Sequence, residues 1–239
     1  MLDARDPADD REGGGQDMAR SNGKLTKGTT RQYSLGEEVA NSISHGVGAL
    51  LSIAALVIMI VVPVRHGGGP RLAAAIVFGI SLFLEFLFST LYHALTPEKA
   101  KRVFRIMDHA AIYVLIAGSY APYALVTLRD EGGLVLFSVV WGVAILGIVA
   151  ECFLKERQPK WMSALVYLAM GWLVVFRLPQ LMALLPTPGF ALLVAGGVCY
   201  TLGTGFYVAK GVPYLHFVWH LFVLAGAACM ALSVMLFVL

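Results

Sequence analysis

The sequence predicts an all-α fold: a seven-transmembrane helix bundle with a cytosolic N-terminus and the C-terminus outside. Three observations carry that prediction. First, 58% of the 239 residues are hydrophobic against 14% charged, and the mean hydropathy is +0.75. A water-soluble domain of this size has no interior large enough to hide so much apolar surface, so lipid must cover part of it. Second, the apolar residues fall into seven runs of about 20, the length that crosses the hydrocarbon as a helix. Third, turn-forming residues separate the runs, and the basic residues gather in alternate connections.

Residues 1–36 form a polar, glycine-rich tail. Asp3, Arg5, Asp6, Asp9, Asp10, Arg11, Glu12 and the run Gly13-Gly14-Gly15 leave too little apolar surface to offset ordering entropy, so disorder is expected. The tail lacks the apolar stretch of a secretory signal and is not read as a cleaved leader. The membrane domain follows over 37–239, with spans at roughly 40–63, 72–96, 107–128, 133–154, 161–185, 189–208 and 214–238. The first ends at His66-Gly67-Gly68-Gly69-Pro70, and the second fades through Thr96-Pro97-Glu98. The next breaks are Asp130-Glu131-Gly132-Gly133, Gln158-Pro159, Pro186-Thr187-Pro188-Gly189 and Gly211-Val212-Pro213. Cys152, Cys199 and Cys229 show no CxxC spacing and read as small buried hydrophobes.

Orientation follows from the basic residues. The tail holds Arg5, Arg11, Arg20, Lys24, Lys27 and Arg31, and the second connection adds Lys99, Lys101, Arg102 and Arg105. Lys155, Arg157 and Lys160 lie in the fourth connection and Lys210 in the sixth, against Arg65, Arg71 and Arg129 on the other side. Positive residues stay inside, which places the tail in the cytosol. The charges are scattered, not massed into a nucleic-acid footprint, so no nucleic-acid partner is expected.

That orientation fixes the depth of each polar residue. His216 and His220 open the seventh helix at the cytosolic side, at i, i+4 and about 6 Å apart along the axis. His93 closes the second helix and Asp108 and His109 open the third at the same level, while Glu38, Asn41 and His45 share a face at the start of the first. Ionisable groups within spans are costly and mark function. Three neutral imidazoles, His93, His216 and His220, suit Zn2+, whose catalytic sites leave a fourth position to water. Asp108 is placed either to ligate the metal or to take a proton from the water whose pKa the metal lowers to about 7. Ser89, one turn before His93, would point its hydroxyl into the same space or bond the carbonyl four residues back. Glu38, Asn41, His45 and His109 are read as supports behind the ligands, the two histidines alternatively as residues of the water interface. Glu85 and Arg177 lie at similar depth. A buried ion pair is the favoured reading; the alternative has Arg177 reaching to the outer headgroups and Glu85 protonated or facing a wet cavity.

Four motifs resemble the hemolysin III family, the bacterial branch of the progestin and adipoQ receptors, which is more distantly akin to alkaline ceramidases. They are Glu37-Glu38-Val39-Ala40-Asn41-Ser42-Ile43-Ser44-His45-Gly46, Ser89-Thr90-Leu91-Tyr92-His93, Asp108-His109-Ala110-Ala111-Ile112-Tyr113 and His216-Phe217-Val218-Trp219-His220. The resemblance covers the chain from about Tyr33 onward. It implies a seven-helix bundle with zinc near the inner face, with the family's ligands falling on His93, His216 and His220, its serine on Ser89 and its aspartate on Asp108. It also implies a multi-pass protein of the bacterial cytoplasmic (inner) membrane, with a membrane lipid as substrate or ligand.

Three functions are consistent with these residues. One is a zinc-dependent hydrolase of a lipid amide or ester that contributes to membrane homeostasis. Another is a receptor-like or regulatory protein whose zinc is structural or sensory. The third is the pore of the family's name, which needs polar residues through the whole depth of the membrane, whereas here they concentrate at one end.

Overall fold

A chain in lipid must satisfy its backbone N–H and C=O groups internally, so the apolar runs fold as helices. The computed structural model describes residues 33–65, 68–154, 159–209 and 211–239. Residues 1–32, most of the tail expected to be disordered, lie outside the described residues, as do His66, Lys155, Arg157 and Lys210. The helices are α1 Leu35–Arg65, α2 Gly69–Ala94, α3 Glu98–Pro122, α4 Gly133–Leu154, α5 Lys160–Gly171, α6 Leu178–Leu184, α7 Thr187–Val208 and α8 Leu215–Phe237. A π-helical turn, Tyr123–Thr127, extends α3, and a 3-10 stretch, Trp172–Arg177, joins α5 to α6. Among the described residues this makes seven membrane-length spans and no strand. The third span starts at Glu98, earlier than the expected 107. Its first turns are amphipathic, burying Lys101 while Arg102 and Val103 stay exposed, a pattern that a search for apolar runs passes over.

The spans form a closed ring. α1 packs beside α2, α2 beside α3, α3 beside α4, α7 beside α8 and α8 beside α1, while α5 touches α3, α4 and α7. Large apolar side chains face outward: Leu50 and Leu146 are each 71% exposed and Phe153 81%. The inner face of α1 is instead a polar stripe, with Glu38, Asn41, Ser44, His45 and Ser52 buried at helical spacing. Gly48 lies on the same face. A Cβ there would sit 2.7 Å from the Phe86 ring, so its absence lets α1 and α2 approach closely enough to bring their polar residues together.

Two local devices set the height of the polar layer. Ser34 and Glu37 form a reciprocal capping box at the start of α1: Ser34 N–H donates to Glu37 Oε2 at 2.8 Å, and Glu37 N–H to Ser34 Oγ at 3.3 Å. Glu37 Oε1 also accepts the Tyr214 N–H at 2.8 Å, tying the start of α8 to that of α1. Tyr214 takes a left-handed conformation, φ 61°, to make the turn into α8.

The fifth span departs from a plain helix. The expected Glu85–Arg177 ion pair is not formed. The 3-10 stretch carries Arg177 toward the α3–α4 connection, where its guanidinium packs on Gly132, a glycine at φ 76°. A Cβ on Gly132 would lie 2.7 Å from an Arg177 nitrogen. Glu85 faces the interior instead, 3% exposed, with no hydrogen-bond partner for Oε2.

Candidate metal site

Each ligand candidate is positioned by a different neighbour. His93, in the last turn of α2, donates its Nδ1 hydrogen to Glu38 Oε2 at 2.7 Å, and the other oxygen, Oε1, accepts from Lys101 Nζ, also at 2.7 Å. That contact fixes the His93 tautomer, so Nε2 keeps its lone pair; it is buried and has no hydrogen-bond partner. His220, 1% exposed, turns Nδ1 toward the Asn41 carbonyl at 3.3 Å and the Ser44 hydroxyl at 3.4 Å, both acceptors for its N–H. Its Nε2 lies 3.2 Å from Nε2 of His216.

These nitrogens fit a metal. His93, His216 and His220 each offer a ligand atom, all within 4.8 Å of one another. Zinc–nitrogen bonds of about 2.05 Å in a tetrahedral shell put ligand nitrogens about 3.3 Å apart, close to the observed His216–His220 spacing. The orphaned Nε2 of His93 and the absence of any acid among the three ligand atoms suit a neutral-imidazole cation site rather than a set of mutual hydrogen bonds.

The remaining candidates surround this cluster. Asp108 is buried on α3, outside the group of ligand atoms, and lines the same chamber as Ser89. His45 stacks on His220 with ring centroids 3.6 Å apart, and neither of its ring nitrogens makes a hydrogen bond. Asn41 is fully buried, its amide nitrogen 3.5 Å from His93 Nδ1. His109 turns toward α4, with Nδ1 3.6 Å from Glu151 Oε2, while Ser163 donates to Glu151 Oε1 at 3.1 Å. Ser89, Asp108, His109, His45, His216 and His220 share the lining of a chamber of about 10 Å³, roughly the room one water or one ion needs.

Several residues in this layer were not singled out from the sequence. Lys101, which in the sequence shows only its charge, anchors the Glu38 that holds His93. Tyr33 stacks on His216, centroids 4.8 Å apart at 16°, and Lys160 donates to its hydroxyl at 3.4 Å. Burial pushes the Tyr33 phenol up from its usual pKa, reinforced by Tyr92 and Tyr207, so it stays neutral. Ser44 and Glu151 complete the set. The i+3 spacing of Glu38, Asn41 and Ser44, together with its place in the first motif, is the sequence signal for Ser44.

A second cavity, about 250 Å³, lies deeper among α3, the fifth span, α7 and α8. Its walls are mostly apolar side chains such as Leu115, Leu181, Leu193, Val223 and Met230. Glu85, Ile112 and Trp219 line both this cavity and the polar chamber, so the two spaces meet at them.

Fold and site together define a multi-pass membrane protein with a buried three-histidine cluster at one end of a seven-helix ring. Residues 33–231 match the family described as haemolysin-III related. The chain belongs to that family. It is 45% identical over 203 residues to "Hemolysin-3" of Bacillus cereus, covering 85% of this chain and 92% of that protein. It is 43% identical over 205 residues to "Hemolysin-3 homolog" of Bacillus subtilis (strain 168), covering 86% and 96%. A more distant likeness, 32% over 163 residues and 64% of this chain, is to 65% of "Monocyte to macrophage differentiation factor" of Homo sapiens, in keeping with kinship to the progestin and adipoQ receptors.

Proposed function

We propose that this protein is a zinc-dependent hydrolase of a membrane lipid amide or ester, seated in the bacterial inner membrane with its polar layer toward the cytosol. The observation that carries the reading is the meeting of the two cavities at Glu85, Ile112 and Trp219. One end is a water-sized polar chamber lined by the ligand candidates His216 and His220, by His45 and His109, and by the Asp108 carboxyl. The other is a dry space of the character that acyl chains occupy.

Zinc, when bound by His93, His216 and His220, supplies Lewis acidity toward a carbonyl oxygen and lowers the pKa of water to about 7. The chain's own residues do the rest. Glu38 and the Asn41 carbonyl hold His93 and His220 in the ligating tautomers. Asp108 accepts the proton of the attacking water and returns it to the leaving nitrogen or oxygen. Ser89 orients Asp108 and hydrogen-bonds the substrate carbonyl. Ile112 and Trp219 lead the chain into the apolar cavity.

Lipid profiling after gene deletion and after His93→Ala tests this reading. The expected result is accumulation of one amide or ester class in both strains and its turnover by the purified, zinc-loaded protein. If every such class is unchanged and none is turned over, the hydrolase reading fails. A second reading is supported by the placement of the ligands on two spans: zinc clamps α2 to α8 and serves a regulatory, receptor-like role. Asp108→Asn separates the two, since a structural zinc tolerates asparagine with function retained and proton transfer does not.

A further inference from the structure

Glu85 has no part in the proton transfers above, yet a buried carboxyl in a span is costly. It lies on the face of α2 that carries Ser89 and His93, two turns before His93. That sets it about 6 Å deeper than Ser89 along the helix axis. It is 3% exposed, its Oε2 has no hydrogen-bond partner, and it lines both the polar chamber and the apolar cavity. An unmet polar atom in such surroundings is destabilising unless a ligand completes it.

We propose that Glu85 selects acyl chains that carry a hydroxyl near the carbonyl. The inference rests on the proposed reading that a lipid chain enters the apolar cavity with its carbonyl between Ser89 and the histidines. Such a chain passes from Ser89 to Glu85 within one helical turn, so Glu85 meets its first few carbons. A hydroxyl both donates and accepts, so it completes the Glu85 carboxyl in either protonation state. A methylene at that place leaves the oxygen unpaired. Ile112 and Trp219 form the remainder of the neck, and neither is hydrogen-bonded to Glu85 Oε2. Glu85 is therefore a specificity-determining residue that touches the chain and not the reacting atoms.

The test is competition of palmitate and β-hydroxypalmitate against a fluorescent fatty acid on the full-length, zinc-loaded protein in detergent. Wild type is expected to bind β-hydroxypalmitate about tenfold more tightly than palmitate, the worth of one buried hydrogen bond. Glu85→Leu is expected to abolish that preference while palmitate still binds. Glu85→Gln keeps both donor and acceptor and is expected to retain most of it, which covers the case in which the leucine variant does not fold. Equal affinities in wild type overturn the proposal, as does an undiminished preference in Glu85→Leu. Failure of both fatty acids to displace the probe overturns it too, together with the acyl-chain reading of the cavity. A preference that Glu85→Leu removes, in a protein that hydrolyses no amide or ester, upholds the selection and sinks the hydrolase alone.

Discussion

His93 is ready to bind a metal because Glu38 occupies its other nitrogen, and Glu38 is in turn held by Lys101. Carboxylate–histidine contacts of this kind fix the tautomer and raise ligand basicity, and their loss costs about 10–100-fold in metal affinity. Glu38→Gln is therefore expected to weaken zinc binding by that range with the three histidines intact, measured by chelator competition on purified protein. Lys101→Met removes a support of the support, and a smaller loss is expected from the same titration. The two halves of this arrangement were unequally legible. His216 and His220 stand one turn apart in an apolar helix, so their spacing was visible in the chain. Glu38 and His93 are 55 residues apart, Glu38 and Lys101 63. Only the packing of α1 against α2, and of α2 against α3, brings them together. In the sequence Lys101 shows only its charge, because a lysine near a helix start carries no mark of the carboxylate it will meet.

At the scale of elements, the fifth span is where a continuous apolar run conceals irregular backbone. Residues 161–185 read as one helix, but the chain tightens to 3-10 over Trp172–Arg177 before α6 resumes at Leu178. Where α5 gives way to the 3-10 stretch at Gly171–Trp172 the helical ladder is interrupted, and freed backbone groups inside a membrane must find partners. Tyr120 on α3 supplies them. Its hydroxyl donates to the Gly171 carbonyl at 2.6 Å, or to that of Met170 at 2.9 Å, and accepts from Val174 N–H at 3.0 Å. The apolar pattern could not report this, because the partner sits on another span and tyrosine is common in membrane helices. Tyr120→Phe leaves those groups unmatched and is expected to destabilise the bundle by about 1–3 kcal/mol. Tyr200→Phe is the control: its hydroxyl has no partner, so a change within about 0.5 kcal/mol is expected. Thermal unfolding in detergent, run on both variants, checks the difference.

At the scale of the molecule, the ring decides what the metal can do. Counting basic residues set the candidates at one depth, but depth alone does not make neighbours; seven spans can be arranged so that the second and seventh never meet. Here α1 packs against both α2 and α8, and its inner stripe of Glu38, Asn41 and Ser44 reaches the histidines on either side. A zinc ion bound by His93 on α2 and by His216 and His220 on α8, as proposed, would therefore link the second span to the last, closing the ring across α1. Ligand that binds only the folded state adds RT ln(1 + [L]/Kd), about 2.7 kcal/mol at a hundred times Kd. Stripping zinc with a chelator is accordingly expected to lower the unfolding temperature of the wild type, and adding zinc back to restore it. His216→Ala removes one of three ligands and is expected to lose that zinc-dependent shift. His109→Ala is expected to keep it, because His109 faces Glu151 and stands outside the cluster. Equal responses of the two alanine variants to zinc would mean that the three histidines do not hold the ring closed through a metal.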